Sequence, residues 1–321
     1  MIKELSALAR DLDTYKQLMN DTTQKCIKDI MPIKSESVSD KSKGSNTKLS
    51  FSKSYNNPAS IEENKEHEFA RKHTLIHLQS NSVCTWIPKN SCSTLRFSIA
   101  KANGAISGMD DIEWIHKNNY SFNASNKELL AAKYTFTILR NPFKRLLSFY
   151  CDKLCNKGIS TNDRSYEVAK SSMGTDAKTT FSDFIEILWR NPSLKRANEH
   201  IQDQCDFLVY KNYHDYLALE DYQETQSTIR EKTGLIMEDV RQFNSIHTSY
   251  GCEDSLQIDY NSPAESIGSA MKNLQKPSAK NMYNSDLIRK VGFMYLHDIL
   301  LYRRTVREGE DEMKYWLKFM A

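Results

Sequence analysis

Apolar residues recur along this chain with two different periods, and the switch between them divides it into segments. Over residues 1 to 32, Leu5, Leu8, Leu12, Tyr15, Leu18 and Met19 fall at helical spacing, which predicts one or two amphipathic helices. Residues 33 to about 66 are rich in Ser, Lys and Asn and poor in large aliphatic side chains, so the entropy of ordering them has little burial to offset it. The pattern predicts a polar linker or long loop over 33–71. From residue 72 to 321 short apolar runs alternate with helical periods. They predict strands near 74–79, 82–87, 134–139 and 206–210, and helices near 93–103, 126–132, 142–156, 181–190, 221–232, 285–305 and 309–320. Such alternation indicates an α/β domain with a central parallel sheet flanked by helices.

Charge narrows the function classes. Lys and Arg number 44 against 41 Asp and Glu, a formal net charge of +3, so there is no global basic field of the kind that binds nucleic acid, and any positive site must be local. No stretch of about 18 apolar residues and no charged-then-apolar leader is seen, so the expectation is a soluble, cytoplasmic protein without a membrane span. Seven cysteines without a Cys-x-x-Cys pair fit reduced thiols. Cys151 and Cys155 stand four apart on an expected helix with no histidine beside them, which favours packing over metal binding.

Two stretches carry candidate chemistry. In WIPKNSCSTLRFSI, Trp86 to Ile99, a strand over Ser82 to Ile87 ends at Pro88 and a helix follows. Backbone N–H groups point outward unpaired at such a junction, and the helix dipole adds partial positive charge. An anion fits there, with Lys89 at the mouth and Ser93, Thr94 and the residues before them as cap and hydroxyl donors. The nucleotide-kinase loop Gly-x-x-x-x-Gly-Lys-Ser/Thr is absent. The second stretch, Tyr134 to Lys153, is again strand, turn and helix. Arg140 stands at the strand's carboxyl end, Asn141 caps, and Pro142 enters the first turn. Phe143, Leu146, Leu147, Tyr150 and Leu154 form a buried stripe, with Arg145, Ser148 and Asp152 on another face. Ligands of open α/β sheets bind at the strand carboxyl ends, so Lys89 and Arg140 should open onto one crevice.

Together these stretches resemble a known family, the sulfotransferases that use 3′-phosphoadenosine 5′-phosphosulfate (PAPS). PKNSCSTLR looks like their 5′-phosphosulfate loop. LRNPFKRLLSFY looks like their 3′-phosphate motif, with Arg140 and Ser148 at the family's eight-residue separation. ANEHIQDQCDF (197–207), the pair Leu219-Glu220 and YLHDILLY (295–302) are similar to the Golgi carbohydrate branch of the chondroitin type.

The resemblance implies a three-layer, P-loop-like sulfotransferase fold over 72–321, with PAPS as co-substrate, adenosine 3′,5′-bisphosphate as product and no metal. It also implies transfer to a hydroxyl of a carbohydrate or glycosylated acceptor. Lys89 would neutralise the 5′-phosphate and bridging oxygen, and the backbone of Asn90, Ser91, Cys92, Ser93 and Thr94 would complete the cradle. Arg140 and Ser148 would hold the 3′-phosphate. For the base the resemblance offers His116, 24 residues before Arg140, ahead of His200 in the Asn-Glu-His stretch. The chain departs from the family pattern at Ser91, where relatives usually carry Gly or Ala, at Asp203, where the branch commonly has Pro, and in lacking the Golgi anchor. For Lys276 and Lys280 two readings stand, a contact to the 3′-phosphate in place of the cytosolic branch's glycine-rich loop and, ahead of it, solvated loop lysines. A nucleotide kinase with a degenerate loop and a non-catalytic nucleotide- or glycan-binding relative are the rival readings.

Overall fold

In the computed structural model, which describes residues 49–50, 64–118, 120–155, 171–240, 258–273 and 277–320, the short apolar runs after residue 72 assemble into one four-stranded sheet. Strands β1 (Thr74–His77), β2 (Ser82–Thr85), β3 (Tyr134–Leu139) and β4 (Asp215–Ala218) lie side by side in chain order. β1 runs antiparallel to β2, with Thr74 opposite Thr85, because a four-residue turn allows only a hairpin. β2, β3 and β4 are parallel, Val83 facing Thr135 and Thr137 facing Tyr216. The expected parallel sheet is therefore present with one antiparallel edge.

The helices are α1 (Lys65–Lys72), α2 (Cys92–Ala102), α3 (Trp114–Lys117), α4 (Asn126–Ala131), α5 (Pro142–Lys153) and α6 (Phe181–Arg190). They continue with α7 (Ser193–Ala197), α8 (Tyr222–Thr233), α9 (Ala264–Lys272), α10 (Ser285–Met294), α11 (Leu296–Thr305) and α12 (Gly309–Leu317). Their starts follow local chemistry: Ser125 and Glu128 form a reciprocal capping box for α4, and Thr180 and Asp183 do so for α6. Among the described residues, no helix is long and apolar enough to cross a membrane.

Three expectations are corrected. The apolar run 206–210 is no strand of the sheet: Gln204–Phe207 forms a 3₁₀ turn, and Tyr210 makes only an isolated bridge to Leu49. The fourth strand is instead β4, whose half-polar sequence Asp-Tyr-Leu-Ala hid it. The helix expected over 285–305 breaks at Tyr295, which ends α10 and begins α11 with φ −119° and sends its hydroxyl 2.6 Å to the Ile201 carbonyl. The stretch 33–71 is not all linker. Asn64 accepts from the N–H groups of Glu66 and His67 at 2.9 Å to start α1, and Leu49 is buried against Tyr210. The chain divides into two units, Met1–Gly44 and Ser45–Ala321; the helices expected over 1–32 lie outside the described residues.

Both faces of the sheet are covered. Leu75, Cys84, Phe136, Ile138 and Leu217 pack on Leu95 and Ile99 of α2 and Ile229 of α8, while Ile76 and Val83 pack on Ala70 of α1 and Leu129 of α4. The largest apolar cluster lies beyond the strand ends. There α5 presents the expected stripe Phe143, Leu146, Leu147, Tyr150 and Leu154 to α6, α10, α11 and α12, with the Phe143 and Trp316 rings stacked at 4.6 Å. Cys151 and Cys155 belong to this cluster, as packing predicts. Gly268 of α9 permits a close approach, since any Cβ there would land on the Cys155 carbonyl.

Asp298 of α11 is fully buried and accepts from the backbone N–H groups of Gln204 at 2.8 Å and Cys205 at 3.0 Å. Asp298→Ala strands two donors and removes a charge that favours the ionised form of buried Arg145, so a loss of about 3 kcal/mol is expected, with Asp298→Asn in between. Urea unfolding of the three proteins measures this. A loss below about 0.5 kcal/mol in Asp298→Ala would show that the 204–205 turn is held by other groups.

Candidate functional site

The loop between β2 and α2 is a tight backbone feature. Asn90 N–H donates to the Ile87 carbonyl at 3.1 Å, and both Lys89 (φ 72°) and Ser91 (φ 60°) adopt left-handed backbone. Glycine takes that conformation without strain, whereas a residue with a Cβ is held there at a cost of order 1 kcal/mol or more. The departure at Ser91 therefore falls at a position where glycine fits best.

The N-cap falls to Ser91, one of the residues before Ser93 expected to supply it, though its side chain makes no capping bond. One detail of the expected cradle changes. The Asn90 N–H is already committed to Ile87, so it is not available to an anion. The first backbone bond of the helix runs from Leu95 N–H to the Ser91 carbonyl at 3.0 Å, which leaves the N–H groups of Cys92, Ser93 and Thr94 without intrahelical acceptors. The side chains of Ser93 and Ser148 are half-buried and Thr94 is buried.

The second motif is placed by capping. Asn141 Oδ1 accepts from the N–H groups of Phe143 at 3.0 Å and Lys144 at 3.5 Å, with Pro142 in the first turn as expected. Arg140 leaves the end of β3 half-buried, and its Nη1 donates to the Lys89 carbonyl at 2.9 Å. Arg140 thus lies against the backbone of Lys89. The face of α5 that carries Arg145, Ser148 and Asp152 turns toward the same loop. Arg145 is buried and donates to the carbonyls of Pro88 (3.1 Å), Gln202 (2.7 Å) and Glu199 (3.4 Å). Asp152 Oδ2 receives the Lys89 ammonium at 2.7 Å. Ser148, one turn from each, sits between them.

Beneath the loop lies a buried polar network. Gln204 Oε1 accepts from Asn90 Nδ2 at 2.6 Å and Arg140 N–H at 3.0 Å, while its Nε2 donates to the Arg140 carbonyl at 2.9 Å. Asn90 Nδ2 also reaches the Ile138 carbonyl at 2.9 Å. Glu220 accepts from Asn141 N–H at 3.1 Å and the Tyr302 hydroxyl at 2.8 Å. Gln204, Asp298, Glu220 and Tyr302 all come from stretches singled out for their similarity, but their roles as supports were not foreseen. Asp203, the substitution for proline, pairs with Lys195 at 2.9 Å, whose ammonium also donates to the Met294 carbonyl and lies 4.1 Å above the Tyr295 ring.

The electrostatics are local and positive. Burial holds the Lys89 ammonium below its usual pKa, with Asp152 pulling it back up; Asp152 also accepts from Lys153 at 3.3 Å. His200 lies close to this group. Burial first, then the charges of Lys89 and Lys153, push its pKa down to about 3 against the opposing effect of Asp152. Its Nδ1 is 3.2 Å from Asn198 Oδ1. His116 is exposed on α3, and its pKa is lowered by desolvation and then by Arg96 and Lys153, with Glu113 opposing. Both histidines thus sit in the field of Lys153. Lys280 stands 5.4 Å over the Tyr315 ring, and Lys276 lies outside the described residues. Among the described residues no group of three or more His, Cys, Asp or Glu is arranged to hold a metal ion.

A model of the Sulfotransferase family matches residues 41–303 of the chain. No curated protein and no solved structure matches the chain.

The depressed pKa of His200 links the site to stability. Its folded pKa lies below the unfolded value of about 6.5, so protonation favours unfolding, and stability falls as pH drops from about 6.5 toward 3. His200→Gln removes this loss. Relative to the native protein, the variant should gain stability steadily in urea titrations at pH 7, 6, 5 and 4, whereas a difference that is constant with pH would place His200 in ordinary solvent.

Proposed function

The chain belongs to the sulfotransferase family, and from that premise we propose that it moves the sulfuryl group of PAPS to a hydroxyl of a carbohydrate or glycosylated acceptor. The observation that carries this reading is the 2.9 Å bond from Arg140 to the Lys89 carbonyl, which joins the two stretches that resemble the donor-binding motifs.

In the proposed step the acceptor oxygen attacks sulfur in line with the bridging oxygen of the 5′-phosphate. An oxygen–sulfur bond forms as the sulfur–bridging-oxygen bond breaks, and adenosine 3′,5′-bisphosphate leaves. Charge develops on the leaving oxygen, so cations placed there stabilise the transition state more than the ground state. Lys89 would supply that charge, exchanging part of its contact with Asp152 for the phosphate. The N–H groups of Cys92, Ser93 and Thr94 and the hydroxyls of Ser93 and Thr94 would hold the phosphosulfate. Arg140 keeps N–H groups beyond the one given to Lys89, and with Ser148 it would hold the 3′-phosphate.

The acceptor proton needs a base. We assign it to His200, which lies in the field of Lys89 itself, ahead of His116, which feels Lys153 and Arg96. A bound donor brings negative charge beside Lys89 and Lys153. It would offset the part of the depression that comes from those two lysines, burial remaining the larger cause, and so raise the pKa of the ring.

Turnover of sulfur-labelled PAPS, with and without EDTA, tests the reading against the kinase and the non-catalytic alternatives. Lys89→Ala should lower turnover about 10²–10³-fold while its affinity for adenosine 3′,5′-bisphosphate falls less than about tenfold. Arg140→Ala should abolish most of the rise in Tm that the bisphosphate gives. His200→Ala should cost about 10²–10⁴-fold in turnover. A folded Arg140→Ala protein with an undiminished Tm shift would refute the donor site, and an active His200→Ala beside an inactive His116→Ala would move the base to α3.

A further inference from the structure

His73, between α1 and β1, is a buried imidazole whose two nitrogens both face acceptors. Only 4% of its surface is exposed. Nδ1 lies 2.8 Å from the Phe69 carbonyl, which can only accept, so that nitrogen carries a proton. Nε2 lies 3.5 Å from Glu199 Oε2. With one proton the ring would turn a lone pair toward that carboxylate; with two it makes an ion pair. The Glu199 carboxyl is held below its usual range, by the His73 contact first, with burial opposing. Phe69 and Trp86 stand 4.6 Å from the ring and Phe207 edge-on at 4.7 Å. The other charges packed around it have partners of their own or the same sign. On α1, Arg71 and Lys72 pair with Glu68 at 2.9 and 3.5 Å; on α2, Arg96 lies 4.9 Å over the Trp86 ring; and His200 follows Glu199. Among the described residues Glu199 is the carboxylate that meets the ring.

This contact joins two parts of the candidate site. Because β1 runs antiparallel to β2, its start lies level with the end of β2, and the His73 carbonyl accepts the Trp86 N–H at 2.9 Å just before the Lys89 loop. Glu199 belongs to the turn that carries His200. Asn198 Oδ1 accepts the His200 N–H there at 3.0 Å, and Arg145 of α5 donates to the Glu199 carbonyl at 3.4 Å. Arg145 thus holds the backbone of the turn from α5, while the Glu199 side chain ties it to the start of β1.

We propose that His73 is a positioning residue: with a proton on each nitrogen it clasps Glu199 and seats the turn of His200 beside the Lys89 loop, and the clasp opens as rising pH takes one proton from the ring. This rests on the sulfuryl-transfer reading above and on His200 as the base. The pH profile of turnover then has two limbs of different origin. On the acid side His200 is protonated and cannot take the acceptor's proton. On the alkaline side His73 is neutral, Glu199 is released, and the base is less well aligned for the in-line step.

The test uses the full chain, Glu199→Gln, His73→Gln and the double variant, with turnover of sulfur-labelled PAPS followed from about pH 5.5 to about pH 9. Glu199→Gln should lower kcat about 3–10-fold at the native optimum and leave affinity for adenosine 3′,5′-bisphosphate within about twofold. It should lose the alkaline limb and keep the acid one. The double variant should be no slower than the slower single, since both remove one contact. An unchanged kcat, or an alkaline limb that survives in Glu199→Gln, overturns the proposal. A loss of about 10²-fold or more with the acid limb gone also overturns it, because Glu199 itself would then be the base. If His73→Gln does not fold, Glu199→Gln, whose side chain is 51% exposed, decides alone. Urea unfolding reports the clasp without turnover: the two substitutions should be non-additive at about pH 6 and additive at about pH 9. Turnover without that coupling refutes the clasp alone. Coupling without any PAPS turnover refutes the sulfuryl-transfer reading, and with it the positioning role, and leaves a structural ion pair.

Discussion

The candidate site depends on one buried carboxamide. Gln204 joins Asn90 of the loop between β2 and α2 to both the N–H and the carbonyl of Arg140, so the two loops are fixed to each other as well as to the sheet, where Asn90 also reaches the Ile138 carbonyl. Gln204 is itself held by Asp298 from α11, and Arg145 ties Pro88 to the carbonyls of Glu199 and Gln202. The members hold one another through mutual hydrogen bonds, although Asn90 Oδ1 is buried without a partner among the described residues. Its geometry explains why distant stretches of the chain, 86–96, 140–152, 199–204 and 298–302, act as one structural object.

The sheet then supplies direction. Parallel β2 and β3 end side by side, which delivers Lys89 and Arg140 to the same edge, and the turn after each strand aims a helix N-terminus at that edge. The left-handed residues Lys89 and Ser91 set the turn of the loop.

The legible parts of the sequence were those governed by local rules. Asn141 and Pro142 announced α5, and the stripe from Phe143 to Leu154 announced its buried face. Ser82 to Leu139 gave strand positions correct to within two residues. What failed was set by tertiary context. Phe207, Val209 and Tyr210 are as apolar as a strand, yet they are buried against helices and Leu49, while Asp215 can sit in β4 because the Tyr134 hydroxyl donates to its carboxylate at 2.6 Å. The supporting roles of Gln204 and Asp298 were hidden for the same reason, as partners 94 residues apart leave no local periodicity. Spacing from Arg140 put His116 ahead of His200, and the proposed mechanism reverses that order on the charges around each ring.

The ion pair between Lys89 and Asp152, with Lys153 on the same carboxylate, bears on how binding responds to ionic strength. A polyanion that reaches this lysine does not meet a bare cation in water; it takes over a contact that the protein already makes. Part of the Coulomb energy gained is returned as Asp152 loses its partner, and few mobile counterions are displaced. Affinity at this loop should therefore decline with added salt more gently than the number of nearby lysines and arginines suggests, the screening falling mainly on whatever part of the ligand extends beyond the pair.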